Sequence, residues 1–337
     1  MIIQLNKKIS VSDRTSIDKL LGGLNIPNYE VTTQRGEYLV CTPKGEFDIR
    51  QVGQLAGIED VHRVSGKHKM VSSKWKVGPS AIEVGDDRIG NGNFTMMAGP
   101  CSIEGESQIE STVHQLVQHG VKYMRGGVYK PRTSPYSFRG LGMDGLRLFY
   151  EICHRNGIKI ITEVMEADQI EPMYPFIDIY QVGARNAQNF NLLEALGRVD
   201  KPVLLKRGIS GSIDELLFSA EYVFKNGNEK IILCERGIRT FETAYRNTLD
   251  LNAVPILKEK SHLPVIVDPS HGIGIRNHVV QMSLAAVAAG ADGLIVEIHE
   301  NPNEAATDGQ QTIDYNDFSE LMMKSELIFN ALNDQSY

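Results

Sequence analysis

From about residue 94 the chain alternates short apolar runs with longer segments of helical period, and this alternation constrains the fold more than any other feature. The runs are FTMMAGPC, KYMRGGV, IKIITEV, IDIYQVG, PVLLKRG, KIILCERG, PVIVDPSH and GLIVEIH. Between them lie amphipathic stretches such as 142–156, 187–198 and 276–289. Ser212-Ile213-Asp214-Glu215 has the S-x-x-E form that opens a helix by reciprocal capping. Strands that alternate with helices pair in parallel. Eight such units within roughly 240 residues predict a (β/α)8 TIM barrel, whereas six or seven would leave an open, doubly wound α/β sheet.

A second regularity sits on the first. Ionisable residues that do not belong in a barrel core recur where each run ends: Cys101, Arg125, Glu163, Arg185, Lys206, Arg236, His271 and Glu297. The residues before them (MMAG, IIT, VLL, IIL, VIV, LIV) are too apolar for a solvated edge. Barrel enzymes draw their active sites from many strands at that C-terminal face. The cations Arg125, Lys130, Arg132, Arg185, Lys206 and Arg236 would repel one another in one pocket unless anions lay between them. A carboxylate and one or two phosphates match guanidinium forks and ammonium donors. The alternative for any one of them is an ion pair with Glu163, Glu235 or Asp268.

Cys101, His271, Glu297 and Asp308 form a second set that could bind one divalent metal ion. Thiolate, imidazole and carboxylate together suit Zn, Fe, Co or Mn better than Ca or Mg. Their spacing carries no local metal motif; His271 could equally be a core histidine and Cys101 a small buried hydrophobe. Barrel closure favours the metal, because the first, seventh and eighth strands then become neighbours. Cys234 is expected to fill the barrel and Cys153 to lie in its second helix.

The first 66 residues read as strand, helix, strand, strand, helix, strand, a ferredoxin-like βαββαβ order. MIIQLN, YEVTTQ, EYLVCTP and VHRVSG supply the strands; 12–24 and FDIRQVGQLAGI supply the helices. Residues 67–80, polar and basic without a period, are expected to be a linker. Residues 81–337 then hold the barrel, opened by a small hairpin in AIEVGDDRIGNG that turns at Gly85-Asp86-Asp87.

Charge and composition exclude some roles. A net charge of −7 argues against a general nucleic-acid or anionic-membrane binder, so phosphate would need a local basic pocket. The start MIIQLNKKIS lacks the features of a secretory signal. No run approaches the roughly 20 apolar residues of a membrane helix. Four scattered cysteines without a CxxC give no disulfide framework. A cytoplasmic protein is expected.

AGPCSIE, KPRTSPYSFRG, GARNAQN, LLKRG, CERGIRTFE, DPSHGIG and VEIHENPNEAATDGQQ follow the order seen in 3-deoxy-D-arabino-heptulosonate 7-phosphate (DAHP) synthases. The chain most closely resembles their type I-beta group, whose members can carry an N-terminal ferredoxin-like regulatory domain. The sibling family that makes 3-deoxy-octulosonate 8-phosphate shares the AGPC start but typically reads KANRSS where this chain has KPRTSP. The resemblance implies condensation of phosphoenolpyruvate with erythrose 4-phosphate, the entry step of the shikimate pathway. It assigns Cys101, His271, Glu297 and Asp308 to the metal, and Arg185, Lys206 and Arg236 to the phosphoenolpyruvate phosphate. Arg125 and Lys130 would lie near its carboxylate, Arg132, Thr133 and Ser134 at the erythrose 4-phosphate phosphate, and Glu163 beside the reacting carbons. Lys130, Glu163, Lys206 and His271 would be the catalytic residues. It further implies a homotetramer and feedback by tyrosine or phenylalanine, against which stands an N-terminal module serving oligomerisation alone. A non-catalytic anion-binding barrel is the remaining alternative, and it would have no need of Cys101 or Asp308.

Overall fold

The computed structural model of the 337-residue chain describes every residue except 46–47, 77, 132–133, 135 and 335–337. It begins with β1 (Ile2–Leu5), α1 (Val11–Gly23), β2 (Asn28–Thr32), β3 (Glu37–Cys41), α2 (Arg50–Gly53) and β4 (Ile58–His62). The four strands form one antiparallel sheet in the order β2-β3-β1-β4, the ferredoxin-like arrangement expected from the element order. The second helix is one short turn, and β4 starts at Ile58 rather than Val61. Gly57 accounts for the earlier start: at φ +87° it ends the helical path.

Strand alternation gives the sheet two buried faces. Ile3, Leu5, Leu39 and Cys41 pack with Ile17 and Leu21 of α1, while Ile2, Val31, Tyr38 and Val40 join the main core of the molecule. The segment 67–80, expected to be a linker, contributes buried Met70, Val71 and Trp75 to that core. Its polar composition hides three anchors. Trp75 Nε1 donates to Met70 O at 2.6 Å, so the indole is buried without an orphaned donor. Glu229, on the barrel, accepts from Thr33 and lies 3.9 Å from Arg35 and 3.6 Å from Lys76.

A hairpin, β5 (Ile82–Val84) and β6 (Asp87–Ile89), turns at Gly85-Asp86, with Asp87 already paired to Val84. Then come β7 (Thr95–Gly99), α3 (Glu106–Gln118), β8 (Tyr123–Arg125), α4 (Gly142–Arg155), β9 (Lys159–Glu163), α5 (Ile170–Met173), β10 (Ile179–Val182), α6 (Phe190–Leu196) and β11 (Val203–Lys206). The chain continues through α7 (Ile213–Lys225), β12 (Ile231–Glu235), α8 (Ala253–Lys260), β13 (Val265–Val267), α9 (Pro269–Ile273), α10 (Arg276–Ala288), β14 (Gly293–Glu297) and α11 (Tyr315–Asn333). Strands β7 to β14 form one closed parallel barrel in chain order, with β14 pairing β7. The eight-strand count therefore holds.

Inside the barrel, Met97, Tyr123, Ile161, Ile179, Leu204, Ile232, Cys234, Ile266 and Ile295 form a packed layer. Cys234 fills the interior and Cys153 lies in α4, both as expected. Ile82, Val84 and Ile89 of the hairpin plug this layer from the N-terminal end. Each such buried side chain contributes about 1.5–3 kcal/mol. The Ser212–Glu215 capping box is present, with Ser212 Oγ accepting from Glu215 N at 3.2 Å. All four cysteines are free and buried, and no described helix is long and apolar enough to cross a membrane.

His262 sits under Trp75 and Phe224, at ring-centroid distances of 5.8 and 6.2 Å. Burial, reinforced by Lys76, pushes its pKa down to about 3 from 6.5. Between those values the unfolded chain binds a proton that the folded chain refuses. The stability from this ring is therefore complete above pH 6.5 and is lost as pH falls toward about 3. The loss is at most about 1.4 kcal/mol per pH unit for one proton. His262→Gln is expected to flatten this part of the acid limb, measured as urea midpoints from about pH 7 to about pH 4. Identical acid slopes in parent and variant would reject the assignment.

Candidate active site

The C-terminal mouth of the barrel opens into a cavity of about 400 Å³. Arg125, Lys130, Ser134, Glu163, Arg185, Lys206, Arg236, His271 and Asp308 all line it. Cys101 and Glu297 lie just beneath, against Asp308 and His271 respectively. Arg132 and Thr133 fall outside the described residues. A larger recess of about 840 Å³ lies at the other end of the barrel, between the plug hairpin and α11. It lacks the convergent cations and the thiol, so the chemistry is sought at the smaller one.

Local backbone places each group. Cys101 stands two residues beyond β7, where Gly99 leaves no room for a side chain: a Cβ there would lie 2.0 Å from Arg125 O. Glu163 ends β9 and reaches over Gly183, where a Cβ would meet Glu163 Oε1 at 2.0 Å. The glycine of GARN is thus needed for Glu163 to point into the mouth. His271 is not at a strand end, as the apolar run suggested, but in α9, whose N-cap is Asp268. Asp268 Oδ1 accepts from His271 N at 3.0 Å, and Pro269 stiffens the first turn. Asp308 has a left-handed backbone, φ +51°, in the loop after β14.

The metal question turns on Cys101, Glu297 and Asp308, whose ligand atoms lie within 4.8 Å of one another. Cys101 Sγ is 3.3 Å from Asp308 Oδ2. His271 Nε2 is 3.6 Å from Glu297 Oε1, while its Nδ1 lies 2.8 Å from Asp268 Oδ2. An imidazole whose Nδ1 faces a carboxylate presents the Nε2 lone pair outward. Burial lowers the pKa of His271 despite Asp268 and Glu297, which favours that neutral ring. Burial opposes ionisation of Glu297, but His271 and Arg125 more than offset it and hold the carboxyl below its usual range. Burial likewise opposes ionisation of Asp308, and Arg246, His271 and Lys130 prevail. Burial and the Glu297 charge push the Cys101 thiol up to about 12, with Lys130 pulling the other way. Such a thiol ionises when a bound cation replaces its proton. Soft sulfur and two carboxylates fit one divalent transition metal, with the His271 imidazole beside Glu297 but outside that closest group.

Some cations have partners and others do not. Arg125 donates to Glu297 Oε1 at 3.0 Å and Pro100 O at 2.8 Å. Lys206 Nζ lies 2.5 Å from Asp268 Oδ2, and Lys130 Nζ donates to Cys101 Sγ at 3.1 Å and Cys101 O at 3.2 Å. Arg236 donates only to Gly237 O, and burial lowers its pKa despite Asp268 nearby. Arg185 has no side-chain partner among the described residues. Among the described residues three arginines, Arg185, Arg236 and Arg239, thus enter the mouth without an ion pair.

Sequence reading missed Gln181, Arg239, Arg246, Asn247 and Gln311; it offered Asp268 as an ion-pair partner for the cations, which it is for Lys206, but not as the N-cap that orients His271. Gln181 was readable as the lone polar residue of an apolar strand, and Asp268 as a strand-end carboxylate three residues before His271. Arg239, Arg246 and Asn247 ride an aperiodic loop and gave no signal. Gln311 donates to Glu297 Oε2 at 2.6 Å and accepts from Arg246.

A parallel barrel whose mouth joins a metal-type donor set to unpaired cations defines a class: synthases and aldolases that act on phosphorylated substrates. The DAHP synthetase I family profile matches residues 70–332. The phospho-2-dehydro-3-deoxyheptonate aldolase of Thermotoga maritima is 51% identical over 275 residues, 82% of this chain and 81% of that protein. The 2-dehydro-3-deoxyphosphooctonate aldolase of Geobacter sulfurreducens is 32% identical, over 74% of this chain and 95% of that protein. The crystal structure of the Thermotoga maritima DAHP synthase superposes with a TM-score of 0.79 at 44% identity, covering 98% of this chain and 97% of that one. A truncated form of the DAHP synthase from that organism gives a TM-score of 0.74 at 47% identity, over 79% of this chain and 98% of that one. This chain belongs to the DAHP synthetase I family and is a DAHP-forming enzyme.

Cys101→Ser exchanges a thiolate for a poorly coordinating hydroxyl. Affinity for Zn or Mn, measured by calorimetric titration, should fall at least about tenfold. Unchanged affinity would remove Cys101 from the ligand set.

Proposed function

We propose that the enzyme joins phosphoenolpyruvate to erythrose 4-phosphate with water, releasing phosphate and 3-deoxy-D-arabino-heptulosonate 7-phosphate. The observation that carries this reading is the unpaired Arg185 and Arg236 beside Lys206, next to the Cys101–Asp308 contact. Arg185, Lys206 and Arg236 hold the phosphoenolpyruvate phosphate, and Arg125 with Lys130 faces its carboxylate. Ser134, with Arg132 and Thr133, takes the phosphate of the aldehyde. Two anions that repel in water are thereby brought into reacting distance, which is catalysis by positioning and electrostatics.

Cys101, His271, Glu297 and Asp308 would hold one divalent ion (Mn, Fe, Co or Zn), which when bound supplies Lewis acidity toward the aldehyde oxygen. C3 of phosphoenolpyruvate forms the new bond to the aldehyde carbon while positive charge builds at C2. Glu163, aimed over Gly183 and bonded by Gln181 at 3.4 Å, positions the water that adds at C2, with Lys206 beside it. The hemiketal phosphate then loses inorganic phosphate by C–O cleavage. Lys206, ion-paired with Asp268, can deliver a proton to the departing phosphate oxygen. Phosphate release should be rapid with erythrose 4-phosphate, slow with arabinose 5-phosphate and abolished by chelator. Preference for arabinose 5-phosphate would move the chain to the octulosonate reaction, and release indifferent to chelator would overturn the metal set.

We further propose that residues 1–66 form a regulatory module that binds tyrosine or phenylalanine within a homotetramer, joined through 67–80 to the barrel of 81–337. Its sheet packs on the barrel through Met70, Val71 and Trp75, which supports a mechanical path for a ligand-driven shift. Tyrosine or phenylalanine should inhibit the full chain and not a variant lacking residues 1–66. Equal sensitivity in both would assign the module to oligomerisation alone.

A further inference from the structure

Two consecutive barrel strands end in related tripeptides. Lys206-Arg207-Gly208 closes β11 and Glu235-Arg236-Gly237 closes β12. Side chains alternate along a strand. Lys206 and Arg236 therefore line the cavity, while Arg207 and Glu235 leave it by the opposite side. Neither reaches solvent: they are 4% and 0% exposed. The backbone sets the pair face to face, because Arg207 N donates to Cys234 O at 2.9 Å.

The Arg207 guanidinium donates to groups from three segments. Its Nη1 donates to Glu235 Oε2 on β12 and to Asp250 Oδ2 in the loop after β12, each at 2.8 Å. Its Nε donates to Gly211 O, in the loop after β11, at 2.7 Å. Glu235 Oε1 completes the network by accepting from Gly237 N at 2.6 Å and Asp250 N at 3.3 Å. Those two loops carry Ile209, Arg239, Arg246 and Asn247 into the mouth.

A buried ion pair is a poor source of stability, since well-packed apolar residues avoid its desolvation cost. What an apolar pair lacks is direction. A planar fork bonded to three segments fixes their placement relative to the strand that carries it, and an apolar side chain of equal volume does not. The lysine and arginine on the cavity side hang from the same two strands, one residue away.

We propose that Arg207, clamped to Glu235 and Asp250, is a positioning residue that sets the spacing of Lys206 and Arg236 and thereby the phosphate affinity of the site. Arg207 touches no substrate. The proposal rests on reading the mouth as a phosphate cage, and its test separates the two.

Inorganic phosphate binding by calorimetry and the KM for phosphoenolpyruvate are measured for the parent chain, Arg207→Lys, Arg207→Met and Arg207→Met/Glu235→Gln. Phosphate Kd and KM should rise at least about tenfold in Arg207→Met, with kcat at saturation falling far less. Arg207→Lys keeps the charge but loses the fork, and should fall between parent and Arg207→Met; it also serves should the methionine variant not fold. The double variant removes the orphaned carboxylate and should stay weak. Recovery of phosphate affinity in the double variant would make the defect an uncompensated charge and sink the clamp. Unchanged phosphate Kd in Arg207→Lys and Arg207→Met would sink it too. A parent chain that binds no phosphate would overturn the cage itself, and this proposal with it.

Discussion

Cys101 and Asp308 lie 207 residues apart and touch only because β14 closes onto β7. That seam is the constraint on which the mouth depends. Its register runs from Gly293 opposite Thr95 to Glu297 opposite Gly99, so Glu297 arrives level with the start of the Cys101 loop. Gly293 makes this seam possible, and Gly99 does the same for the adjoining pair β7 and β8. A Cβ at Gly293 would stand 2.1 Å from Thr95 O, and one at Gly99 2.0 Å from Arg125 O. No rotamer change relieves a collision with a backbone carbonyl, so a side chain at either position would push the strands apart. A one-residue slip would turn Glu297 out of the barrel and leave the thiol and imidazole without their carboxylate.

With the seam closed, the mouth becomes a problem in buried charge. Carboxylates neutralise some cations, as in Arg125–Glu297 and Lys206–Asp268, and these pairs also fix the orientation of the groups they join. Asp268 serves three neighbours at once: Lys206 Nζ, His271 Nδ1 and His271 N. Burial opposes its ionisation, yet His271 and Lys206 hold it well below the usual carboxylate range. Its charge is thereby engaged by its neighbours, which on the proposed reading leaves Arg185, Arg236 and Arg239 for incoming anions. An acidic protein binds phosphorylated substrates in this way, by leaving a few deep cations unpaired rather than by a basic surface.

The barrel was legible because its two periods, strand and helix, are separated by length, and the strand-end charges stood out against apolar runs. Even the register of function was readable: Cys101, Arg125, Glu163, Lys206 and Glu297 each sit at or just past a strand end. What stayed hidden depends on contacts without a period. Arg246 reaches Gln311 across 65 residues, and no local pattern announces such a bond. His271 was placed on a strand because VIVDPSH is apolar up to Asp268; the helix that carries it is a single capped turn, too short for a hydrophobic period. The buried anchors of residues 67–80 stayed hidden for a related reason. Met70, Val71 and Trp75 are three anchors among eleven mostly polar residues, and composition averages them away.

The placement of the N-terminal sheet gives β12 two masters. At its N-terminal end Glu229 is bonded by Thr33 and approached by Arg35 and Lys76 from the N-terminal segments. At its other end stand Glu235, locked to Arg207, and Arg236 in the cavity. Seven residues of extended chain separate Glu229 from Arg236, roughly 23 Å at about 3.3 Å per residue. Strands in a closed barrel do not bend independently, since each is bonded on both sides and packed on both faces. A displacement at Glu229 is therefore passed along the strand rather than absorbed. For the proposed feedback, this one strand links the residues that touch the module to Arg236 in the cavity.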